Sequence, residues 1–252
     1  MSMFEGRVED ITLLRDSIAA IADLIDEAEL HITYDGIRVA STDRTVVVVV
    51  DFFLHAKAFG EYVFSQETRV GLNLLNLVQI LRRAKPEDAV TFKVSDKKIE
   101  VVLESDTVRV FHLPVISITK TDIPQLDKIE AGFTAFFDVA TDVLCSGIED
   151  AELVGDSVIF TLRKDGMTMN ADSDASAAQL DLKAGDKLVI REVASPVRAR
   201  YSLDYLKKIL KARRLADRAS LAMATDYPLK LVFDVPEKVR LGFILAPRVE
   251  ES

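Results

Sequence analysis

The amino-acid sequence predicts an α+β protein: two similar domains of antiparallel sheet, each with two helices. Three observations carry that expectation. Short alternating or β-branched runs outnumber helical stretches throughout the chain, as in sheets that carry their helices on one face. The same motifs occur twice. Asp35-Gly36-Ile37-Arg38-Val39 returns as Asp165-Gly166-Met167-Thr168-Met169, 165 − 35 = 130 positions later, and Leu24-Ile25-Asp26 is echoed by Val154-Gly155-Asp156. Leu74, Leu77, Ile80 and Leu81 return as Leu203, Leu206, Ile209 and Leu210, 203 − 74 = 129 positions later. A repeat this long is a duplicated domain, since a solenoid unit is ~20–50 residues. Third, a stretch with neither regular period separates the copies. Its prolines, Pro114 and Pro124, bar a continuous helix or central strand, yet it carries Val115, Ile116, Ile118, Ile123, Leu126 and Ile129. That is too apolar for a floppy linker, so it reads as an ordered strap. The expected division is domain 1 over 1–113, a connector over 114–130, and domain 2 over 131–252.

Each element follows from its residues. A strand is expected over 4–8. Ile11, Leu14, Ile18, Ile21, Ala22 and Ile25 fall at helical spacing and predict an amphipathic helix. Strands over 29–34 and 37–41 flank a turn at Asp35-Gly36, where glycine tolerates a positive φ. The β-branched run predicts a buried strand over 45–54, and a weaker one follows over 59–64. Asn73 can cap a second helix with the apolar stripe Leu74, Leu77, Ile80 and Leu81. Strands over 89–94, 99–103 and 108–113 complete the first half. The second half repeats the scheme: a strand over 133–139, a helix through Val143, Ile148, Ala151 and Val154, and a hairpin of 158–162 with 167–171. Strands over 178–182 and 188–193 follow, then a helix over 203–212 capped by Ser202. Closing strands at 219–224, 229–234 and 240–245 lead to a proline-broken tail.

At 252 residues the chain suits two domains of ordinary size. A hydrophobic fraction of 49% and a charged fraction of 29% place it among soluble globular proteins. The net charge of −9 repels polyanions, so any nucleic-acid contact must come from a local basic patch. One cysteine, Cys145, excludes an internal disulfide and fits a reducing compartment. The N-terminal Met1-Ser2-Met3-Phe4-Glu5 is no secretory leader, and the longest apolar run, 46–50, is far too short to span a bilayer. No membrane partner is expected.

The usual marks of catalysis are missing. There is no glycine-rich phosphate loop, no H-E-x-x-H and no cysteine pair for zinc. His31, His55 and His112 lie far apart, and Cys145 has no neighbouring histidine to activate it. A binding or scaffold protein is expected, with no catalytic residue, cofactor or metal.

Charge gives the positive signal. Arg200, Lys207, Lys208, Lys211, Arg213, Arg214 and Arg218 are opposed within their stretch only by Asp204 and Asp217. The matching helix of the first half ends in Arg82, Arg83 and Lys85. Lys207, Lys211 and Arg214 share a helix face by spacing. A solvated helix end explains one such cluster, and its cations suit the helix dipole. Recurrence in both halves points to a phosphate backbone. No aromatic is interleaved, which favours duplex backbone without sequence readout over a single strand.

Several stretches then resemble one family. They are the tail Leu245-Ala246-Pro247-Arg248-Val249-Glu250-Glu251, Asp226-Tyr227-Pro228-Leu229, Gly36-Ile37-Arg38-Val39-Ala40-Ser41-Thr42-Asp43, Gly71-Leu72-Asn73-Leu74 and Tyr205-Leu206. In this order, with the duplication, they resemble DNA sliding clamps of the proliferating cell nuclear antigen (PCNA) type, the archaeal members most. The resemblance implies a trimeric ring with helices lining the hole, non-enzymatic, cytoplasmic and nucleoid-associated in an archaeon or nuclear in a eukaryote. It implies self-association, a clamp loader, and DNA polymerase, flap endonuclease and DNA ligase as partners. DNA-facing residues would be Arg15, Arg82, Arg83, Lys85, Lys207, Lys208, Lys211 and Arg214. A partner motif, Gln-x-x-aliphatic-x-x-aromatic-aromatic, would enter a pocket of Thr42, Val46, Ile123, Pro124, Pro228, Ile244, Ala246 and Pro247. Subunits would meet through Val108, Val110 and Phe111 on one side and Ala178, Leu180 and Leu182 on the other. Glu149, Asp150 and Glu152 depart from the family's basic or neutral residues, and Lys164 matches a lysine that eukaryotic clamps modify. Two alternatives stay open: one subunit of a heterotrimeric clamp, and a peptide-binding scaffold that never encircles DNA.

Overall fold

A computed structural model describes residues 3–8, 10–118 and 125–249. In chain order the first elements are β1 (Phe4–Val8), α1 (Ile11–Ala22), β2 (Glu27–Ile32), β3 (Gly36–Thr42), β4 (Val48–His55), β5 (Phe59–Phe64) and β6 (Thr68–Asn73). Next come α2 (Leu74–Leu81), β7 (Ala89–Val94), β8 (Lys98–Glu104), β9 (Val108–Pro114) and a single turn, α3 (Leu126–Glu130). The rest are β10 (Ala135–Ala140), α4 (Thr141–Glu152), β11 (Ser157–Arg163), β12 (Gly166–Asp172), β13 (Ala177–Lys183), β14 (Leu188–Val193), β15 (Val197–Ser202), α5 (Leu203–Ile209), β16 (Arg218–Met223), β17 (Leu229–Val235) and β18 (Val239–Leu245).

The chain divides into two compact units. One comprises Met1–Arg44, Val50–Asp122 and Asp234–Leu241; the other comprises Thr45–Val49, Ile123–Phe233 and Gly242–Ser252. Within the first, β5-β1-β7-β8-β9 form an antiparallel sheet, and β2 pairs with β3 and β6. Within the second, β14-β10-β16-β17 repeat the order of β5-β1-β7-β8, and β15-β11-β12 repeat β6-β2-β3, with β13 outermost. Even a register shift recurs, between Arg7 and Val8 and between Phe136 and Phe137. The apolar stripes seen in the sequence are buried: Ile11, Leu14, Ile18 and Ile21 on α1, and Leu74, Leu77, Ile80 and Leu81 on α2. Tyr201 is wholly buried, and its hydroxyl donates to the Tyr227 carbonyl at 2.9 Å, so burial raises its pKa.

The repeated glycines have a steric cause. A Cβ on Gly36 would stand 2.2 Å from the Leu54 carbonyl oxygen, and one on Gly166 would stand 2.5 Å from that of Leu182. In both copies a neighbouring backbone holds the position small, a stronger demand than the turn conformation.

The structure corrects several expectations. β6 and β15, absent from the predicted elements, occupy equivalent places before α2 and α5. Asn73 caps α2 by accepting the Asn76 N–H at 3.0 Å, but the Ser202 side chain makes no capping bond to α5. The helix predicted over 203–212 is α-helical only to Ile209 and continues as a 3-10 turn, Leu210–Arg214. The strand predicted from residue 45 begins at Val48, because Val46 takes φ 56°, outside any strand.

Candidate nucleic-acid and partner surfaces

In the first unit α1 packs on α2. Arg82, which closes α2, and Arg83 are exposed and make no ion pair among the described residues. Lys85 faces Glu87 at 3.8 Å. Arg15 is tied to Asp16 at 3.1 Å and is only 29% exposed, so its charge is already partly answered.

The second unit places acids against its cations. α4 packs on α5 and lies close on the sheet, where a Cβ on Gly147 would stand 2.5 Å from Met169. From α4, Glu152 pairs with Lys207 and Glu149 meets Arg213 at 3.2 Å. The hydrogen bond and charge of Glu152 push the Lys207 pKa up, so this lysine stays ionised. Lys208 lies 5.6 Å from the centroid of the Tyr205 ring, within cation–π range. Lys211 and Arg214 are exposed on the 3-10 turn. Cys145 is buried in α4 and burial pushes its thiol up, which makes it a packing group and a poor nucleophile. The anomalous acids of the sequence are thus counterions of the basic cluster, except Asp150, which is exposed without an ion pair among the described residues.

Of the expected peptide-pocket residues in the second unit, Val46 lies on a turn bonded to the C-terminal segment that carries Ile244, Ala246 and Pro247. The Ala246 N–H donates to the Val47 carbonyl at 2.9 Å, and Thr45 Oγ1 lies 2.9 Å from the Tyr205 hydroxyl. Val46 is 48% exposed, Ile244 is buried, and Pro228, Ala246 and Pro247 are half-buried. Thr42 is buried at the end of β3 in the first unit. Ile123 and Pro124 lie outside the described residues.

The expected subunit contacts fall on open strand edges. β9 ends its sheet with Val108 and Val110 exposed and Phe111 half-buried. β13 ends the other with Ala178, Leu180 and Leu182 half-buried. β9 is anchored by Asp88, whose carboxylate accepts the Lys85 N–H and the Ser105 hydroxyl, each at 2.7 Å, and pairs with Arg109. These contacts, the backbone bond foremost, hold the Asp88 carboxyl below its ordinary pKa. The sequence reading does not single out Asp88: an aspartate after Pro86-Glu87 looks like any solvated loop acid until the fold brings Ser105 and Arg109 to it.

Two like units of sheet and paired helices, each with an exposed cationic helix end and an open edge strand, define the class: a duplicated α+β binding protein. Comparison with known proteins makes it specific. The N-terminal domain of proliferating cell nuclear antigen matches residues 3–121 and the C-terminal domain matches residues 139–248. The chain belongs to the proliferating cell nuclear antigen family, whose members are non-enzymatic processivity factors. It is 32% identical to the DNA polymerase sliding clamp of Thermococcus gammatolerans, over 99% of this chain and 98% of that one. It is 30% identical to the DNA polymerase sliding clamp of Methanothermobacter thermautotrophicus, over 98% and 99%. The crystal structure of PCNA from Thermococcus kodakaraensis superposes with a TM-score of 0.88 at 25% identity, covering 97% of this chain and 100% of that one. No helix among the described residues is long and apolar enough to cross a membrane.

Proposed function

We propose that this chain is a DNA sliding clamp: three copies close into a ring around duplex DNA and tether replication and repair enzymes to it. The observation that supports this most is the match to both family domains, in order, over nearly the whole chain. Open edges at β9 and β13 suit head-to-tail pairing, in which Val108, Val110 and Phe111 of one copy meet Ala178, Leu180 and Leu182 of the next. Arg15, Arg82, Arg83, Lys85, Lys207, Lys208, Lys211 and Arg214 face the phosphates, with no base readout. A ring is held by topology, so weak phosphate contacts suffice and leave it free to slide, while the net charge of −9 keeps DNA off other surfaces. DNA polymerase, flap endonuclease and ligase dock through an aromatic-ended motif on Thr42, Val46, Ile123, Pro124, Pro228, Ile244, Ala246 and Pro247, and a loader opens the ring.

Mass in solution and polymerase stimulation test this together. A mass of three chains is expected, with stimulation that requires the loader and falls when Lys207, Lys208 and Lys211 are neutralised. A single-chain mass at micromolar concentration, or stimulation indifferent to those lysines, overturns the homotrimeric clamp. A mass that rises only with a sibling chain assigns it to a heterotrimer.

A further inference from the structure

The two halves differ at equivalent positions on an outward sheet face. In the first half Glu29 stands opposite Gly71 across β2 and β6, and Arg69 pairs with Glu29 at 3.0 Å. The strap covers this place: the Ile116 N–H donates to the Gly71 carbonyl at 3.0 Å, and a Cβ on Gly71 would stand 2.6 Å from Ile118 Cγ1. In the second half the corresponding pair, across β11 and β15, is Ile159 opposite Arg200. Arg198 corresponds to Arg69, but its carboxylate has become Ile159; Arg198 is exposed and makes no ion pair among the described residues. The C-terminal segment stands where the strap stood, with the Arg248 N–H donating to the Arg200 carbonyl at 2.8 Å. It brings a third arginine instead of two isoleucines. A cleft of about 320 Å³ is lined by Arg198, Arg200 and Arg248 over Ile159, with Asp226 and Pro247 on its wall. A second, of about 340 Å³, shares Ile159, Arg198 and Arg200 and reaches Asn170, Asp172 and Gln179.

We propose that this face binds an extended acidic segment of a partner protein, at an arginine-lined site that adjoins the apolar motif pocket at Pro247. Arg198 and Arg200 are two residues apart on one strand face, so their side chains leave it about 7 Å apart. An extended peptide with carboxylates at alternate residues has the same spacing; exposed Arg198 offers a fork to one carboxylate, and half-buried Arg200, already donating to the Ser157 hydroxyl at 3.2 Å, adds its charge to the next. Ile159 gives the floor an apolar contact. Arg248 is held by Asp156 at 2.7 Å; Arg200, 25% exposed, lies 4.0 Å from Asp172 besides its bond to Ser157, and both acids are well exposed, at 77% and 66%. Such solvated pairs yield to a better-placed carboxylate. Asp156, Asp172 and Asp226 around the arginines leave little net positive charge, so the face suits a short segment that displaces one or two of these acids, whereas a continuous polyanion would have to pass all of them. The first half, with the same backbone, lacks the site because Glu29 neutralises Arg69 beneath the strap.

Fluorescence anisotropy at low salt tests the assignment, using a labelled Glu-Val-Glu-Val-Glu-Val peptide, its Gln and Lys counterparts and a single-stranded oligonucleotide. The Glu peptide is expected to bind roughly tenfold or more tightly than the Gln peptide. The double variant R198E/R200E should lose the Glu peptide and gain the Lys peptide. Arg198→Gln, a mild surface change, should cost about fivefold and leave aromatic-motif binding intact, which separates failure here from failure of the clamp reading. Equal binding of Glu and Gln peptides, no loss in Arg198→Gln, or tighter binding of the oligonucleotide overturns the proposal. Deleting residues 250–252, which include Glu250 and Glu251, should leave the affinity unchanged. A rise of roughly tenfold on deletion assigns the cleft to the chain's own acidic end and overturns the partner reading.

Discussion

The helix pairs α1–α2 and α4–α5 descend from one pattern and carry their charge differently. On the first, Arg82 and Arg83 meet no acid among the described residues. On the second, Glu152 and Glu149 hold Lys207 and Arg213. The backbone was duplicated; the charges on it were not. The open edges differ too. β9 and β13 are not equivalent strands, since the counterpart of β9 is β18 and that of β13 is β4. A protein made of two like units can therefore present two unlike edges, which head-to-tail closure requires and a two-fold pairing does not.

The largest effect should come from spoiling one edge at a time. Val110→Glu and Ala178→Glu each place a charge in the proposed contact, which costs several kcal/mol when buried unpaired. Each variant alone is expected to run at the mass of one chain. Mixed, the sound β13 of the first should take the sound β9 of the second and give a species of two chains that cannot close. A mixture that stays at one chain, or single variants that remain trimeric, would show that the unlike edges are not the joint.

Acid should act on β9 more than on the second unit, whose lowered carboxylates, Asp142 beside Lys187 and Asp156 beside Arg248, are solvent-exposed. Asp88 and Asp217 are equivalent by the repeat, yet Asp88 is buried and bonded to Arg109 while Asp217 is exposed. The folded-state pKa of Asp88 is lowered, so the stability it contributes is present above the ordinary carboxylate value of about 4 and is lost as pH falls below it. Hydrogen exchange on β9 is expected to quicken below about pH 4, with the trimer loosening in the same window. Asp88→Asn should remove most of that pH dependence, and an unchanged acid profile would contradict it.

Charge reversal on the helices should have a smaller, graded effect. R82E/R83E should weaken DNA binding more than Lys207→Glu, because Glu152 already answers Lys207. Glu152→Gln should strengthen DNA binding by releasing that lysine. Each phosphate that a variant no longer neutralises should make the salt slope of DNA affinity shallower by about 0.9. Equal slopes for all three variants would remove the asymmetry between the helix pairs.

Much of this was legible in the residues. The duplication, both helix stripes and the strap show as periodicity and spacing, because an apolar face must be written in sequence to be buried. Missing were β6, whose Gly71 interrupts the strand pattern, and β15, whose arginines disguise an alternation of buried Val197, Ala199 and Tyr201. The basic helix ends were visible as composition, but not their counterions. Glu149 and Glu152 read as defects until folding set α4 against α5 and the turn after it, pairings across 213 − 149 = 64 and 207 − 152 = 55 residues that no local pattern encodes. Arg200 was visible only as part of the basic cluster, and Arg198 not at all, until β15 set both beside Ile159, which replaces the acid of the other half.

The smallest effect concerns Val46. In the second half the corresponding turn closes by the Ser173 N–H donating to the Ser176 carbonyl at 2.9 Å, with no left-handed residue among those described there. In the first, Val46 sits at φ 56°, a conformation that costs a β-branched residue about 1–3 kcal/mol. At 48% exposure its side chain recovers little of that by burial in the free chain. Val46→Gly removes the strain but frees the unfolded chain by about 0.4–1 kcal/mol. The net expectation is a gain of about 1 kcal/mol, or a Tm higher by about 2–4 °C. If the valine is kept in spite of its strain because it meets the partner motif, the same variant should bind a motif peptide more weakly while melting later. A lower Tm would show that the left-handed turn is unstrained; a higher Tm with undiminished peptide binding would take Val46 out of the pocket.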